Sequence, residues 1–226
     1  MQDKSANAFI FAGINGAGKS TLYYDELLRD KSFGARINTD EFFSSFGNWK
    51  NPKEQFKAAK IALKLRQTCI KKKSDFNQET TLCGKGIVNL FAELKAHRFA
   101  ISLYYIGVDT PQIAKDRVKA RVAKGGHNID SALIDKRFDE SLRNLLKIAK
   151  FCDKIVLFDN SGSEKELIFK YNKANNCLVD KITKKHKWIY NRANALKREI
   201  RISIEKSLNK TKSRANRTND NDGMEL

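Results

Sequence analysis

The stretch Phe9–Thr21 reads FIFAGINGAGKST and contains the most informative pattern in the chain. A run of apolar residues is followed directly by the segment GINGAGKS, which fits G-x-x-x-x-G-K-[ST]. In a loop of this kind, glycines let backbone N–H groups close around phosphate oxygens, and the start of the following helix adds partial positive charge. The pattern therefore predicts a binding site for a nucleoside triphosphate between a buried strand and a helix.

The residues expected to bind the triphosphate lie in this loop and in the first turn of the helix. Lys19 would reach the β- and γ-phosphates, and the Ser20 hydroxyl would ligate Mg²⁺. An ordinary glycine-rich turn is the alternative, but the complete spacing between a strand and a helix favours the phosphate loop. The predicted nucleotide-binding residues are Gly13, Asn15, Gly16, Ala17, Gly18, Lys19, Ser20 and Thr21.

Length and composition indicate a globular protein that can bury a core. The chain has 226 residues, of which 41% are hydrophobic and 31% are charged. No apolar run approaches the ~18 residues that span a membrane, and no secretory pattern precedes the loop, so we expect a cytoplasmic protein without membrane contact. The wide spacing of the cysteines favours free thiols over a zinc site. They are Cys69, Cys83, Cys152 and Cys177.

The net charge of +18 is shared between the main part of the chain and its C-terminal segment. Residues 181–226 contain 13 Lys and Arg against 5 Asp and Glu, so they carry +8 and residues 1–180 carry the other +10. We predict a domain at 1–180 and a basic helical extension at 181–226 that ends in a disordered tail from Ser207. A nucleic-acid contact through the extension is one interpretation, and a helix packed on the domain is the favoured one.

Strand-like and helical stretches alternate along the chain, which predicts an α/β fold with a parallel sheet flanked by helices. Residues 166–182 form a separate pattern that predicts a hairpin turning near Asn175 and Asn176. The predicted strands are residues 8–12, 35–42, 74–82, 99–108 and 153–161, and the predicted helices are residues 19–30, 53–73, 87–97, 111–124 and 131–151.

Two large classes of triphosphate-binding proteins lack support in the sequence. A switch GTPase should contain an N-K-x-D motif that reads the guanine base, and no such motif occurs. A motor or transporter ATPase should have a long apolar strand ending in Asp-Glu, whereas Asp40-Glu41 follows the short, partly polar stretch RINT close to the loop. In phosphate-loop kinases, the second strand instead delivers a carboxylate to the acceptor hydroxyl.

The order of several motifs resembles the zeta toxin family of phosphate-loop kinases. The resemblance covers residues 7–161 and rests on GINGAGKST, INTDEF, FNQETTL, RVKARVAKGGHNI and DKRFDESLRNL. It implies ATP as the donor and UDP-N-acetylglucosamine as the nucleotide-sugar acceptor, which members of this family phosphorylate on the sugar. It also implies a growth-inhibiting toxin with an antitoxin partner. Ile14, where relatives often have proline, and Lys136, in what is commonly an arginine pair, depart from the family pattern.

The resemblance assigns acidic and hydroxyl residues to the acceptor. Asp40 takes the place of the general base, because a carboxylate near a hydroxyl can accept its proton during phosphoryl transfer. Capping of a helix by Asp40 is the alternative. Glu79, Thr80 and Thr81 are expected at the acceptor sugar, and Glu79 also helps to place Mg²⁺ through water. A loop with a capping threonine is the alternative for this patch.

Basic residues after the fourth strand resemble a lid over the γ-phosphate. Arg121 is the first candidate for a cation that stabilises the transferring phosphate, and Arg117, four residues earlier on the same predicted helix face, is the second. Arg137 and Arg143 are candidate helpers on the next helix. A structural role is favoured for His127, which lies in the sequence GGHNI.

The predicted function is a Mg²⁺- and ATP-dependent kinase of a small hydroxylated metabolite, with UDP-N-acetylglucosamine as the first candidate. A kinase of another nucleotide sugar, a nucleoside or an RNA end is the enzymatic alternative. A non-catalytic nucleic-acid-binding module, driven by the positive charge, is the alternative from another class. The residues alone, without the resemblance, lead only to a phosphate-loop phosphotransferase.

Overall fold

The computed structural model describes residues 5–29, 31–45, 51–202 and 204–205. Within them, seven strands form one sheet with helices on both faces. The strands are β1 (Asn7–Ala12), β2 (Ala35–Ile37), β3 (Phe76–Thr80), β4 (Ala100–Gly107), β5 (Lys154–Asp159), β6 (Glu166–Asn172) and β7 (Cys177–Asp180). The helices are α1 (Lys19–Leu27), α2 (Thr39–Ser44), α3 (Pro52–Lys72), α4 (Ile87–Ala96), α5 (Pro111–Ala123), α6 (Ser131–Ala149) and α7 (Lys187–Tyr190), and residues 193–202 are also helical.

The strand order is β2-β3-β1-β4-β5-β6-β7, and the predicted α/β class is confirmed. β2 to β5 pair in parallel, but β6 and β7 pair antiparallel, so the sheet is mixed and not parallel throughout. The reason is the length of the connection, because a parallel neighbour needs a crossover of a dozen or more residues. Only residues 160–165 join β5 to β6. β6 and β7 form the predicted hairpin.

The position of β1 in the sheet creates a crevice at its carboxyl end. β1 lies between β3 and β4, so the chain leaves β1 toward one side of the sheet and later returns to the other side. Open α/β sheets bind ligands at such a switch point. The register places Glu79 and Thr80 of β3 level with Phe11 and Ala12, the last residues of β1. The loop after β1 therefore lies beside the carboxyl end of β3.

β2 is shorter than the predicted strand at 35–42. It ends at Ile37, and the side chain of Asn38 accepts a hydrogen bond from the backbone N–H of Asp40 at 3.0 Å, which caps α2. The capping role considered for Asp40 thus belongs to Asn38, and Asp40 lies in the first turn of the helix. An asparagine in an extended conformation is a favoured N-cap because its short side chain reaches the free N–H groups of that turn.

Alternating residues of the central strands fill two hydrophobic cores on opposite faces of the sheet. Ile10 belongs to the core formed with α3, α4 and α6. Phe11, its neighbour in β1, belongs to the core formed with α1 and α5, where its ring stacks on Tyr104 with centroids 5.0 Å apart. The sheet is thus covered on both faces, as apolar parallel strands require.

The segment after residue 180 packs against the first of these cores. Trp188 is buried, stacks on Tyr105 with ring centroids 5.5 Å apart, and donates its indole N–H to a carboxylate oxygen of Asp159 at 2.7 Å. Leu196 and Ile200 continue this packing. The division into a domain at 1–180 and an extension remains a prediction, and the predicted tail at 207–226 lies outside the described residues. No helix in the described ranges is long and apolar enough to cross a membrane.

Replacing Trp188 by alanine should destabilise the whole protein. The substitution removes a large buried ring and leaves Asp159 without its indole donor, so we expect a loss of about 3–5 kcal/mol in the free energy of unfolding. Urea unfolding followed by circular dichroism measures the loss. Tyr190→Ala, at a ring that is 40% exposed, is the control and should cost less than about 1 kcal/mol. Equal unfolding midpoints for the two variants would contradict the packing described above.

Candidate active site

The loop between β1 and α1 has the backbone conformation of a phosphate cradle. Gly16 and Gly18 have φ angles of +79° and +103°, which favour glycine. A Cβ atom at Gly16 would lie 2.3 Å from the carbonyl oxygen of Ala114 in α5. The side chain of Asn160, at the end of β5, donates a hydrogen bond to the carbonyl of Ala17 at 2.8 Å. The loop is therefore fixed from two sides, and α1 begins directly after it.

Lys19 lies over this loop. Its ammonium donates a hydrogen bond to the carbonyl of Ile14 at 3.1 Å. Burial lowers the pKa of Lys19 below the ordinary lysine value, while the carboxylates of Glu79 and Asp40 oppose that shift. Both carboxylates line the same two cavities as Lys19. Lys19 thus lies where the phosphate loop meets the two acidic residues that the sequence predicts for the site.

Ser20 and Glu79 provide oxygen atoms that suit Mg²⁺. The Ser20 hydroxyl donates to one carboxylate oxygen of Glu79 at 3.0 Å, and the side chain of Glu79 is only 7% exposed. Within the described residues, no group of three or more His, Cys, Asp or Glu could hold a metal on its own. Mg²⁺ usually binds through one or two protein oxygens, substrate phosphates and waters. The cysteines are all unpaired, as predicted.

Two cavities meet at these residues. The first, which we call the phosphate pocket, has a volume of about 480 Å³, and the second, which we call the acceptor pocket, about 390 Å³. Both are lined by Asn15, Lys19, Asp40 and Glu79. The phosphate pocket is also lined by Gly16, Gly18, Ser20, Thr21, Arg117, Arg121 and Asn160. The acceptor pocket is also lined by Asn38, Thr39, Phe43, Gln55, Gln78, Thr80, Thr81, His127, Ile129 and Arg137.

Most of the predicted nucleotide-binding residues therefore line the phosphate pocket. Gly13 and Ala17 do not line either pocket. The backbone N–H of Gly13 donates to the carbonyl of Thr80 at 3.2 Å, and Ala17 is buried. Both residues therefore contact the rest of the protein and not the pocket.

The predicted acceptor residues are brought together at the second pocket. Asp40 is exposed and lines both cavities. Thr80 and Thr81 line the acceptor pocket, but the Thr80 hydroxyl also accepts a hydrogen bond from the backbone N–H of Leu82 at 3.0 Å. Thr80 therefore has the structural role that was considered as the alternative, and Thr81 does not share that bond.

The arginines differ in their distance from the site. Arg117 and Arg121 line the phosphate pocket, and Nη1 of Arg117 is buried without a hydrogen-bond partner in the described part of the chain. An unpaired buried guanidinium nitrogen fits an anion in this pocket. Arg137 lines the acceptor pocket and donates to the side-chain oxygen of Asn15 at 2.6 Å. Arg143 is exposed and lines neither pocket.

His127 has both a structural contact and a position at the acceptor pocket. Its backbone carbonyl accepts a hydrogen bond from Nη2 of Arg121 at 2.8 Å, which links the turn after α5 to the lid arginine. Burial and the charge of Arg121 lower the pKa of the imidazole, and the nearby carboxylate of Asp40 opposes the shift. The carbonyl contact supports the structural role that the sequence favours.

The sequence did not identify two residues that the structure places at the site. Asn160 fixes the phosphate loop from β5, and Arg36 of β2 contacts Glu79. Asn160 lies at the end of the predicted strand 153–161, so its position at the carboxyl edge of the sheet could have marked it. Arg36 precedes the INTDEF motif in a stretch without any distinguishing pattern.

Comparisons with known proteins agree on the fold. No protein-family model matches the chain. A protein of Haemophilus influenzae, described as uncharacterized, is 32% identical over 139 residues, which are 61% of this chain and 94% of that protein. In the crystal structure of AvrRxo1-ORF1:AvrRxo1-ORF2 with sulphate ions, one chain matches with a TM-score of 0.65 and 12% identity, over 83% of this chain and 64% of that chain. This chain thus matches less than two thirds of that neighbour's length.

Two further solved structures show the same architecture. The AvrRxo1-ORF1:-ORF2 structure with ATP matches with a TM-score of 0.57 and 12% identity, over 83% of this chain and 64% of that chain. A chain from the PezAT toxin-antitoxin system of Streptococcus pneumoniae matches with a TM-score of 0.58 and 14% identity, over 93% of this chain and 88% of that chain. At these identities the likeness establishes the phosphate-loop kinase-like fold.

Replacing Gly16 by alanine should abolish tight nucleotide binding. The new Cβ would collide with the Ala114 carbonyl at a φ angle of +79°, so the loop must move. Strain of about 1–3 kcal/mol corresponds to an affinity loss of about 5- to 160-fold for a non-hydrolysable ATP analogue, measured by calorimetry. Gly86→Ala is the control, because Gly86 has a negative φ angle and open space around it. Unchanged affinity in Gly16→Ala would show that the loop does not bind the phosphates.

Proposed function

The chain belongs to the same family as the Haemophilus influenzae protein, and we propose that it is an ATP- and Mg²⁺-dependent small-molecule kinase. The proposal rests on the geometry of the site. The observation that carries the proposal is the meeting of two cavities at Lys19, Asp40 and Glu79. A kinase needs one space for the triphosphate and another for the acceptor, with a carboxylate between them. The arrangement of the two pockets has this form.

In the proposed phosphoryl transfer, each residue of the site has a separate role. The acceptor hydroxyl oxygen forms a bond to the γ-phosphorus, its proton passes to Asp40, and the bond to the β-phosphate oxygen breaks to release ADP. Lys19 and the loop N–H groups bind the phosphates. Arg121 and Arg117 neutralise charge that spreads over the transferring oxygens. Arg137 is the arginine of α6 that lies on the acceptor side of the same space.

The donor atoms present at the loop fit Mg²⁺. Ser20 would hold the ion together with the nucleotide phosphates, and Glu79 would orient a water of the ion through the carboxylate oxygen that now accepts from Ser20. When bound, the ion neutralises charge on the β- and γ-phosphate oxygens. The protein supplies the orientation of these oxygen atoms.

We infer that the acceptor is UDP-N-acetylglucosamine. The acceptor pocket is lined by amide and hydroxyl side chains, among them Gln55, Gln78, Thr39 and Thr81, which can hydrogen-bond the hydroxyls of a sugar. The resemblance to zeta toxins supports the same acceptor. The consequence is a toxin that depletes a cell-wall precursor, and the toxin-antitoxin system that contains the Streptococcus pneumoniae neighbour supports an antitoxin partner for this chain.

Incubation of the protein with ATP, Mg²⁺ and UDP-N-acetylglucosamine should produce a phosphorylated nucleotide sugar and ADP. Mass spectrometry of the products is the test. Asp40→Asn removes the proton acceptor and keeps the size of the side chain, so its turnover should fall about 100- to 10,000-fold. Asp116→Asn is the matched control, because Asp116 is exposed on α5 and lines neither of the two site pockets.

Two outcomes of this assay would contradict the proposal in different ways. Equal turnover by Asp40→Asn and wild type would remove Asp40 as the base. No product from UDP-N-acetylglucosamine, with product from another nucleotide sugar, a nucleoside or an RNA 5′ end, would reject the acceptor and keep the kinase. A nucleic-acid-binding module would instead bind RNA or DNA after Lys19→Ala and lose binding when exposed basic residues of the C-terminal segment, such as Lys184, Lys187 and Arg198, are replaced by glutamine.

The lid arginine should affect turnover more than nucleotide affinity. Arg121→Met removes a cation that faces the transferring phosphate, so we expect kcat to fall about 1000-fold while the KM for ATP changes little. Steady-state kinetics with the accepted substrate measures both values. Arg143→Met is the matched control, since Arg143 is an exposed helical arginine outside both pockets. Similar kcat values for both variants would exclude Arg121 from the reaction.

A further inference from the structure

Arg36 joins four elements around the carboxylates of the site. Its Nη2 donates to a carboxylate oxygen of Glu79 in β3 and, at 2.7 Å, to Glu41 in α2. Its Nε donates to both oxygens of Glu41 at 3.2 Å, and its Nη1 donates to the side-chain oxygen of Asn77 in β3 at 3.0 Å. Its guanidinium lies 3.7 Å from the ring centroid of Tyr23 in α1. All the polar atoms of the guanidinium thus have partners in named elements.

The position of Arg36 is fixed by groups that cannot move easily. Asn77 is fully buried, and its amide donates to the carbonyl of Phe33 at 3.2 Å. The planar guanidinium stacks on Tyr23, which is itself buried in the second core. The side chain of Arg36 is only 18% exposed. A charged group this far from water must be paired, and here it is paired with two carboxylates at once.

The two carboxylates connect Arg36 to both parts of the chemistry. One oxygen of Glu79 accepts from Arg36 and the other accepts from Ser20, so the guanidinium fixes which oxygen faces the phosphate loop. Glu41 directly follows Asp40, and it also accepts from Asn38, the residue that caps α2. The guanidinium therefore contacts both the carboxylate of Glu79 and the first turn of α2, which carries Asp40.

We propose that Arg36 is a positioning residue that orients Glu79 toward Ser20 and so prepares the Mg²⁺-nucleotide site before the ion arrives. The inference rests on the proposed kinase function, but it concerns only the binding of Mg²⁺ and nucleotide. Groups that orient metal-binding side chains typically change metal affinity or activity 10- to 100-fold when mutated. We expect that lysine cannot replace Arg36. A planar guanidinium can stack on the Tyr23 ring and donate to several side chains at once, whereas an ammonium group cannot.

The test compares nucleotide binding with and without the ion. Calorimetry gives the affinity for a non-hydrolysable ATP analogue in excess Mg²⁺ and in EDTA, and the ratio of the two affinities is the gain due to Mg²⁺. Arg36→Met keeps the apolar part of the side chain and removes the guanidinium. We therefore expect the gain in nucleotide affinity due to Mg²⁺ to fall at least about 10-fold. The affinity in EDTA should change by less than about twofold, because none of the hydrogen bonds of Arg36 goes to the loop at 13–18. Arg201→Met, at an arginine that is 83% exposed, should behave as wild type.

Conservative and double variants separate orientation from charge and from folding. Arg36→Lys should lose most of the gain although it keeps the charge, and it carries the same comparison if Arg36→Met does not fold. Adding Arg36→Met to Glu79→Gln should not lower the Mg²⁺-dependent gain in affinity any further, because both substitutions remove the same oriented carboxylate. Circular dichroism and thermal unfolding of each variant exclude a general loss of structure as the cause.

Several results would overturn the proposal. An unchanged gain in Arg36→Met, or a larger gain because a competing cation has been removed, would show that Arg36 does not prepare the site. Full recovery in Arg36→Lys would reduce its role to charge alone. If Arg36→Met and Glu79→Gln lower the Mg²⁺-dependent gain additively, Arg36 does not act through Glu79. None of these measurements uses an acceptor, so absence of phosphoryl transfer would reject the kinase and leave the result for Arg36 standing.

Discussion

The structure depends on how the glycine-rich loop between β1 and α1 is held in place. Such a loop has few bonds of its own, so its shape has to come from neighbours. Gly16 packs against the carbonyl of Ala114, and Asn160 binds the carbonyl of Ala17 from the end of β5. The helix α5 and the strand β5 can reach the loop only because β1 lies in the centre of the sheet. The strand order is thus what makes the anion site rigid.

The charges around this loop are arranged in two groups. The carboxylates of Asp40 and Glu79 come from the side of β2 and β3, whereas Arg117 and Arg121 come from α5 on the other side. Lys19 lies between the two groups, and its pKa reflects burial together with both carboxylates. The two carboxylates and the two arginines thus line the same pocket from different elements of the fold.

The parts of the site that the sequence predicted are those governed by local spacing. The motif GINGAGKS fixes a loop between a strand and a helix, and the structure has that loop where it was expected. The predicted strand at 35–42 extends beyond the observed end of β2, because the side chain of Asn38 caps α2 and so ends the strand. Asn160 binds a residue 143 positions away and Arg36 binds one 43 positions away, so no periodicity could reveal them.

The C-terminal segment is joined to the nucleotide site by the same turn that fixes the loop. Trp188 binds Asp159, the last residue of β5, and Asn160 follows it immediately. Ser161 donates its hydroxyl to the same carboxylate oxygen at 2.8 Å. Trp188 and Ser161 thus both bind the carboxylate of the residue that precedes Asn160. Because the Asn160 amide is one of the contacts that hold the phosphate loop, the packing of Trp188 is connected to the loop through Asp159 and Asn160.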